Sequence, residues 1–598
     1  MTTNTNSQPP VVAKKHLVTF ILVTLLFPLW GFANDITNPM VAAFKKILLI
    51  SNFESSLVQA AFYGGYCFMA IPAALFIKKY SYKKGILVGL ALYAGSALFF
   101  PIAGQMMAFW AFLLAYFTMT CGLSFLETTA NPYILSMGSQ ETATRRLNLS
   151  QSFNPMGSIC GMFVAMIFIL ANLTSVKHDP ELAPVLATEA HDLITEVTQT
   201  GQKSDITISN KKLNPESMSL DAVKWEKIQE LGLASWVGGK AKGHIETSLN
   251  ENKDVNWGEA LTLIQADHQR LAKSLAITSN TETSDAQKWE LLQAQSLDAA
   301  LTDKDKTKIT RKISKGKEVN WEQSPILDGS PDEEQARSLI AQTDTDKWIG
   351  IQKADLNVLQ GPYFAIGIVV AIFFFVFLIK KLPEGQGEDD KSLHLGATFQ
   401  RLSKNSNYVG GVIAQAFYVG AQIMIWTFII QYAGNELGMR ASTAQGYNII
   451  AMFIFVSSRF VCTFLLKYVS PGGLLSALAV GGGALVLGVI FIQGMLGLYC
   501  LIGVSACMSL MFPTIYGIAL DGLGDDAKLG AAGLIMAIGG GCLMPPLQAA
   551  IMDKDAFQLG SMTLTSTRAS FVLPLVCFIA IALYGFLAHR KHIGEAQA

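Results

Sequence analysis

Twelve times along this chain an apolar run is long enough to cross a bilayer as a helix. The runs fall at about 17–42, 55–77, 83–103, 107–137, 147–173, 358–381, 407–434, 442–467, 473–493, 495–521, 529–552 and 567–589. Each reaches the ~18 residues that roughly 30 Å of hydrocarbon demands. Within hydrocarbon a backbone keeps its hydrogen bonds only in helices or closed barrels, so runs of this length dictate an all-α membrane protein. Composition agrees: of 598 residues, 51% are hydrophobic and only 15% charged, far from a soluble profile. Lys14 and Lys15 precede the first run in the manner of a signal peptide, but the run is too long and has no small-residue cleavage site. It is expected to stay as a helix.

The formal net charge is zero and suggests no nucleic-acid partner. What carries information is where the basic residues sit. Lys14/Lys15, Lys78/Lys79/Lys83/Lys84, Arg145/Arg146, Lys380/Lys381 with Arg401/Lys404, Lys467 and Arg590/Lys591 flank alternate sides of successive spans. The positive-inside rule then places both termini and these loops in the cytoplasm, with Lys45/Lys46 and Arg440 as exceptions on the opposing side. The eight cysteines all lie in predicted spans without CxxC spacing. They read as small hydrophobes, with no disulfide framework, metal site or cofactor.

Five spans (1–174) precede a polar segment, 175–358, which is followed by a sixth span (359–381), a polar linker (382–404) and six more spans (405–598). Without the polar segment the length suits a twelve-helix carrier made of two six-helix halves. The segment follows the fifth span, so a cytoplasmic N-terminus puts it outside. Six of the nine tryptophans lie in it, and it contains a repeat: "DAVKWE" (221–226) returns as "DAQKWE" (285–290), "KDVNW" (253–257) as "KEVNW" (317–321), and Ser274–Leu275 as Ser338–Leu339. Each pair is offset by 64 residues, which implies a tandem duplication. Helix-favouring stretches at Trp225–Glu230 and Glu259–Ala276 predict two small helical units. The duplicated tryptophans are either the core of each unit or an exposed platform for a glycan or protein partner. No catalytic motif is present in it.

Asp35 in the first span and Glu127 in the fourth are the carboxylates well inside apolar runs. A charge at the bilayer centre costs about 2.5–3.5 kcal/mol even on lenient scales, so an intramembrane carboxylate is a functional candidate. Glu127 is either a proton carrier or a structural partner between helices. Uncharged polar residues also align. Gln59, Tyr63 and Tyr66 recur at i, i+4 and i+7, and Gln415, Tyr418, Gln422 and Trp426 at i, i+3, i+7 and i+11. Both spacings make one helical stripe. Amides bond hydroxyls and aromatic faces cover C–H surfaces, a chemistry suited to a neutral polyol. Gln151 and Asn154, beside Pro155, extend the inventory.

Several stretches resemble the fucose permease (fucose:proton symporter) family of the major facilitator superfamily: "FPLWGFANDITNP" (27–39), "QAAFYGGY" (59–66), "IPAALFIKKYSYKKGI" (71–86), "FLETTANPY" (125–133), "RRLNLSQSFNPMGS" (145–158), "YVGAQIMIW" (418–426) and "FPTIYGIAL" (512–520). The resemblance covers all twelve spans in order and excludes 175–358. It implies alternating access by rocking of two halves, a monosaccharide site near the midplane and inward proton cotransport in a bacterial inner membrane. It also implies that Glu127 takes the proton, with Gln151 and Asn154 nearby. The family's first-helix acid falls at Asn38, while the acid here is Asp35, three residues earlier. Either Asp35 supplies the carboxylate from a turn away or sugar selectivity differs. L-fucose is therefore the favoured cargo, with glucose, galactose or N-acetylglucosamine as alternatives. The loop Lys78, Lys79, Lys83, Lys84 resembles the superfamily's gating loop, with Arg459 at the equivalent end of the eighth helix; simple cytoplasmic anchoring explains much of both. The expectation is a carrier, not an enzyme; a sugar sensor built on the external segment is the competing class. No basic residue is expected deep in a span.

Overall fold

The computed structural model describes residues 12, 16–138, 143–208, 215–321, 324–327, 333–382, 395–466, 468–523, 526–559 and 562–597. Lys14, Lys15, Lys467, most of the inter-half linker, and the side chains of Lys78, Arg145 and Lys591 lie outside the described residues. Two compact units result, one of 1–173 with 355–598 and the other of 174–354.

The first unit is a bundle of membrane-length helices. Its twelve long apolar helices are Leu17–Leu48, Asn52–Ile77, Tyr82–Met106, Phe109–Leu135, Leu149–Leu170, Thr345–Ile379, Ser406–Leu437, Ala441–Leu465, Pro471–Phe491, Met495–Leu520, Gly530–Met552 and Ser566–Arg590, numbered here as spans 1 to 12. Two differ from expectation. Span 1 extends to Leu48 and breaks into Leu17–Thr24, Leu26–Thr37 and Met40–Leu48, with the second break at Pro39, which has no N–H to donate. Span 6 begins at Thr345, well ahead of its apolar part, because Asp346, Lys347 and Asp355 lower hydropathy without stopping the helix. Span 5 ends in a π-helical turn, Ala165–Leu170, where the Asn172 amide donates to the Ile167 carbonyl at 2.7 Å.

Packing follows the same pattern in both halves. Span 1 packs on 5, 2 on 4 and 3 on 4; six spans later, 7 packs on 11, 8 on 10 and 9 on 10. The halves meet where span 2 lies on 11 and span 8 on 5. Between membrane helices there is little hydrophobic gain from association, so close backbone approach at small residues does much of the holding. A Cβ added to Gly157 would sit 1.9 Å from the Pro28 carbonyl oxygen, and one on Gly31 2.2 Å from that of Asn154. Neither backbone can retreat, so spans 1 and 5 are clamped as one body.

The second unit is helical. The order of Leu220–Glu230, a 3₁₀ turn at Leu233–Trp236 and Gly239–Asn250 recurs as Asp285–Ala294, a 3₁₀ turn at Leu297–Ala300 and Asp303–Ser314. The same interactions recur 64 residues on. Asp221 accepts from the Trp257 indole and the Val255 amide, both at 2.8 Å. Asp285 accepts from the Trp321 indole at 2.6 Å and the Val319 amide at 2.8 Å. Trp225, Trp289 and Trp321 are buried, so these tryptophans serve as core with their polar edge paired. Helix Trp257–Thr278 carries His268, whose Nε2–H donates to the Trp236 carbonyl at 2.7 Å. Burial holds this imidazole below its ordinary value of 6.5.

Two outcomes follow from this packing. Gly157→Ala is expected to cost about 1–3 kcal/mol by overpacking and to lower the thermal midpoint in detergent, whereas Gly95→Ala, with nothing within 4 Å of its added Cβ, leaves it unchanged. For His268 the folded form binds its proton less readily than the unfolded chain. The stability it contributes is present above pH 6.5 and is lost as pH falls below that value. Unfolding of the second unit, followed by tryptophan fluorescence between pH 7 and 5, should show that slope, and His268→Gln should flatten it.

Candidate functional site

The polar residues of span 1 and span 2 meet in one hydrogen-bonded chain. Asp35, 5% exposed, accepts from Asn38 Nδ2 at 3.0 Å; i and i+3 on a helix are neighbours, so the pairing follows from spacing alone. Asn38 Oδ1 accepts in turn from Gln59 Nε2 at 3.1 Å, and the same Gln59 amide donates to the Thr427 hydroxyl on span 7 at 3.0 Å. Ser158 of span 5 donates to the Gly31 carbonyl of span 1 at 3.4 Å. The chain therefore starts at a carboxylate in the first half and ends on the second.

Glu127 stands in contrast. It is half-buried on span 4, yet among the described residues it makes no hydrogen bond or ion pair. Tyr63 and Tyr66 lie within electrostatic reach of it, and Tyr63 also within reach of Asp35. The two tyrosine rings stack at 6.4 Å with 25° between planes, and Tyr66 makes a long 3.5 Å bond to Asn34. Gln151 is exposed and makes a long bond to Asn131, also at 3.5 Å; Asn154 donates to the Phe27 carbonyl at 3.4 Å. Span 4 is held below this site by Arg146, whose guanidinium is fully buried and donates to the carbonyls of Ile134 and Leu135 at that helix's C-terminus.

In the second half the aromatic members of the span 7 stripe are committed to their own half. Tyr418 donates to the Met508 carbonyl at 3.1 Å, and the Trp426 indole to the Ser505 hydroxyl at 3.2 Å. Gln422 is half-buried. Gln415 is fully buried, and among the described residues neither end of its amide has a partner. Sequence reasoning passed over Gln445 and Asn448 on span 8, which bond each other at 3.2 Å while Asn448 also donates to the Trp426 carbonyl at 3.0 Å. Polar residues one turn apart in an apolar run were the available signal.

The basic residues singled out for gating bond within their halves. Lys83 donates to the carbonyls of Leu378 and Lys380 at 3.0 and 2.9 Å, closing the C-terminus of span 6. Lys79 and Lys84 lie over the Tyr80 ring at 5.5 and 5.1 Å. Arg459 donates to the Ser509 carbonyl at 3.0 Å and lies 4.9 Å from the centre of the Phe455 ring. A basic side chain is also buried near one end of a span. Arg568, in the first turn of span 12, is 1% exposed, and its Nε and Nη2 have no partner among the described residues.

Comparison with known proteins agrees with this architecture. The profile of the Major Facilitator Superfamily matches residues 23–175. The L-fucose-proton symporter of Haemophilus influenzae is 40% identical over 97% of this chain and 98% of its own length. That of Escherichia coli is 25% identical over 96% and 93%. A glucose/galactose transporter of Brucella abortus is 22% identical over 98% and 97%. Among solved structures, the transporter FucP in its outward conformation superposes with a TM-score of 0.51 at 24% identity, covering 96% of this chain and 99% of that one, which shows the fold. With two-fifths identity sustained from end to end, this chain belongs to the fucose:proton symporter family of the major facilitator superfamily.

Proposed function

We propose that the protein imports a neutral monosaccharide together with a proton, by alternating access between its two halves, and that L-fucose is its cargo. The observation that carries this reading is the contrast between the two intramembrane carboxylates. Asp35 is engaged by Asn38, and so is positioned. Glu127 is held by nothing among the described residues, and so is free to gain and lose a proton without dismantling a network. In this reading Glu127 carries the proton. Asp35 and Asn38, with Gln59, Tyr63, Gln151, Asn154, Gln422 and Gln415, supply the donors and acceptors for sugar hydroxyls, and Tyr418 and Trp426 brace span 7 behind them. A proton moving inward through 100 mV yields about 2.3 kcal/mol to drive accumulation. The name of the 40% identical relative supports fucose.

A second cargo, glucose or galactose, is favoured by Asn38, which stands where the resemblance places the family's acid, and by the names of the more distant relatives. Termini in the cytoplasm, residues 175–358 outside as an appended tandem repeat, and Lys78, Lys79, Lys83, Lys84 and Arg459 at the inner gate complete the proposal, in a bacterial inner membrane.

In liposomes holding a pH-sensitive dye, external L-fucose should acidify the interior, and D-glucose, D-galactose and N-acetylglucosamine should do so less. Glu127→Gln should abolish acidification while leaving sugar counterflow measurable. Coupled uptake unchanged by the substitution would remove Glu127 from its assigned role.

A further inference from the structure

The N-terminus of span 2 is capped from two sources. An α-helix leaves its first N–H groups without intrahelical partners. Here Ser51 covers the Glu54 N–H at 3.0 Å, and the Glu54 carboxylate returns a bond to the Ser51 amide at 2.9 Å, a capping box internal to the first half. The two N–H groups that this box leaves open, those of Asn52 and Phe53, donate to the carboxylate of Asp553 at 2.9 and 2.7 Å. The Asn52 side-chain amide adds a third bond to Asp553 at 2.7 Å. Asp553 follows the last residue of span 11, so it belongs to the other half.

Below this cap the two helices run antiparallel in continuous register. A Cβ on Gly541 would meet the Tyr63 ring at 2.8 Å, and one on Gly539 would meet Cys67 Sγ at 2.9 Å. The cross-half bond from Gln59 to Thr427 lies between the cap and Tyr63 along span 2. Span 2 thus lies against the second half from its capped end to the level of Cys67, and the carboxylate at that end is the strongest polar link in the contact: a negative charge on a helix N-terminus, with three short bonds.

We propose that Asp553 is the outer latch of the transport cycle, a positioning residue that holds the extracytoplasmic ends of spans 2 and 11 together and must release Asn52 and Phe53 before the site can open outward. The inference rests on the proposed orientation, in which the loop between spans 1 and 2 is outside. It also explains why the helix's own capping box is incomplete. A box that satisfied all the leading N–H groups would leave span 2 with nothing to gain from closing.

Cys67 reports the state of this contact without any sugar, so the test stands apart from the assignment of cargo. In right-side-out vesicles, the rate at which a membrane-impermeant maleimide alkylates Cys67 is read by peptide mass spectrometry. Asp553→Ala should raise that rate about tenfold, in line with loss of an N-cap. Asp553→Asn, which keeps one acceptor and sets an NH₂ against an N–H, should raise it less, and Asn52→Ala should raise it modestly. Cys160, on the stripe of span 5 that carries the exposed apolar Met156, Phe163 and Ile167, faces lipid and should stay unlabelled in every variant. Should the purified protein bind sugar, Asp553→Ala should also bind external sugar more tightly while turning over more slowly, because a larger outward population lowers the apparent Kd. A Cys67 rate unchanged in all three variants would overturn the latch, as would acceleration from the inner face alone.

Discussion

Hydrocarbon leaves no polar group unpaired without cost, and this one constraint organises the membrane unit. It forces the backbone into helices, and it makes each buried side-chain amide meaningful. In a rigid core an orphaned amide would be penalised by about 1–3 kcal/mol with no return. Among the described residues Gln415 and Gln431 are unpartnered at both ends, and Gln59 at its carbonyl. Such groups are tolerable in a protein whose two halves exchange partners: a donor idle in one arrangement is used in another, by the opposite half or by the hydroxyls of a cargo. Two bonds that cross between halves, Gln59 to Thr427 and the span 2 N-terminus to Asp553, lie on the helix that packs against both halves.

The spacing of glycines decides what can move. Gly31 and Gly157 bring span 1 and span 5 into backbone contact, and the equivalent pair in the second half does the same: a Cβ on Gly540 would sit 1.9 Å from the Ala416 carbonyl oxygen on span 7. Each half is therefore locked where its own helices meet. At the boundary between halves, Gly541 and Gly539 meet side chains of span 2 instead of its backbone. A side chain can rotate away where a carbonyl cannot, so the seam is the softer contact.

Much of this was legible in the sequence. The twelve spans follow from apolar runs of sufficient length, and Glu127 from its isolation within one. The Asp35–Asn38 pair follows from a three-residue offset on a helix. What escaped had a common cause. Thr427 and Asp553 act on partners 368 and 501 residues away, and nothing local marks a threonine or a loop aspartate as half of a cross-chain bond. The early start of span 6 escaped for a different reason, since helix propensity continues where apolarity stops.

The Asp–Trp pairing in the second unit bears on the history of the chain. In each copy the aspartate that opens a helix reaches a tryptophan 36 residues later. The fastener therefore lies wholly inside one period and borrows nothing from its neighbour. A segment that brings its own fastener can be copied in tandem at a single stroke, because the newcomer arrives with its indole already spoken for. Growth by whole periods is then the inexpensive direction of change for this part of the chain, while the helices around Glu127, whose partners are scattered over five hundred residues, have no comparable freedom to lengthen.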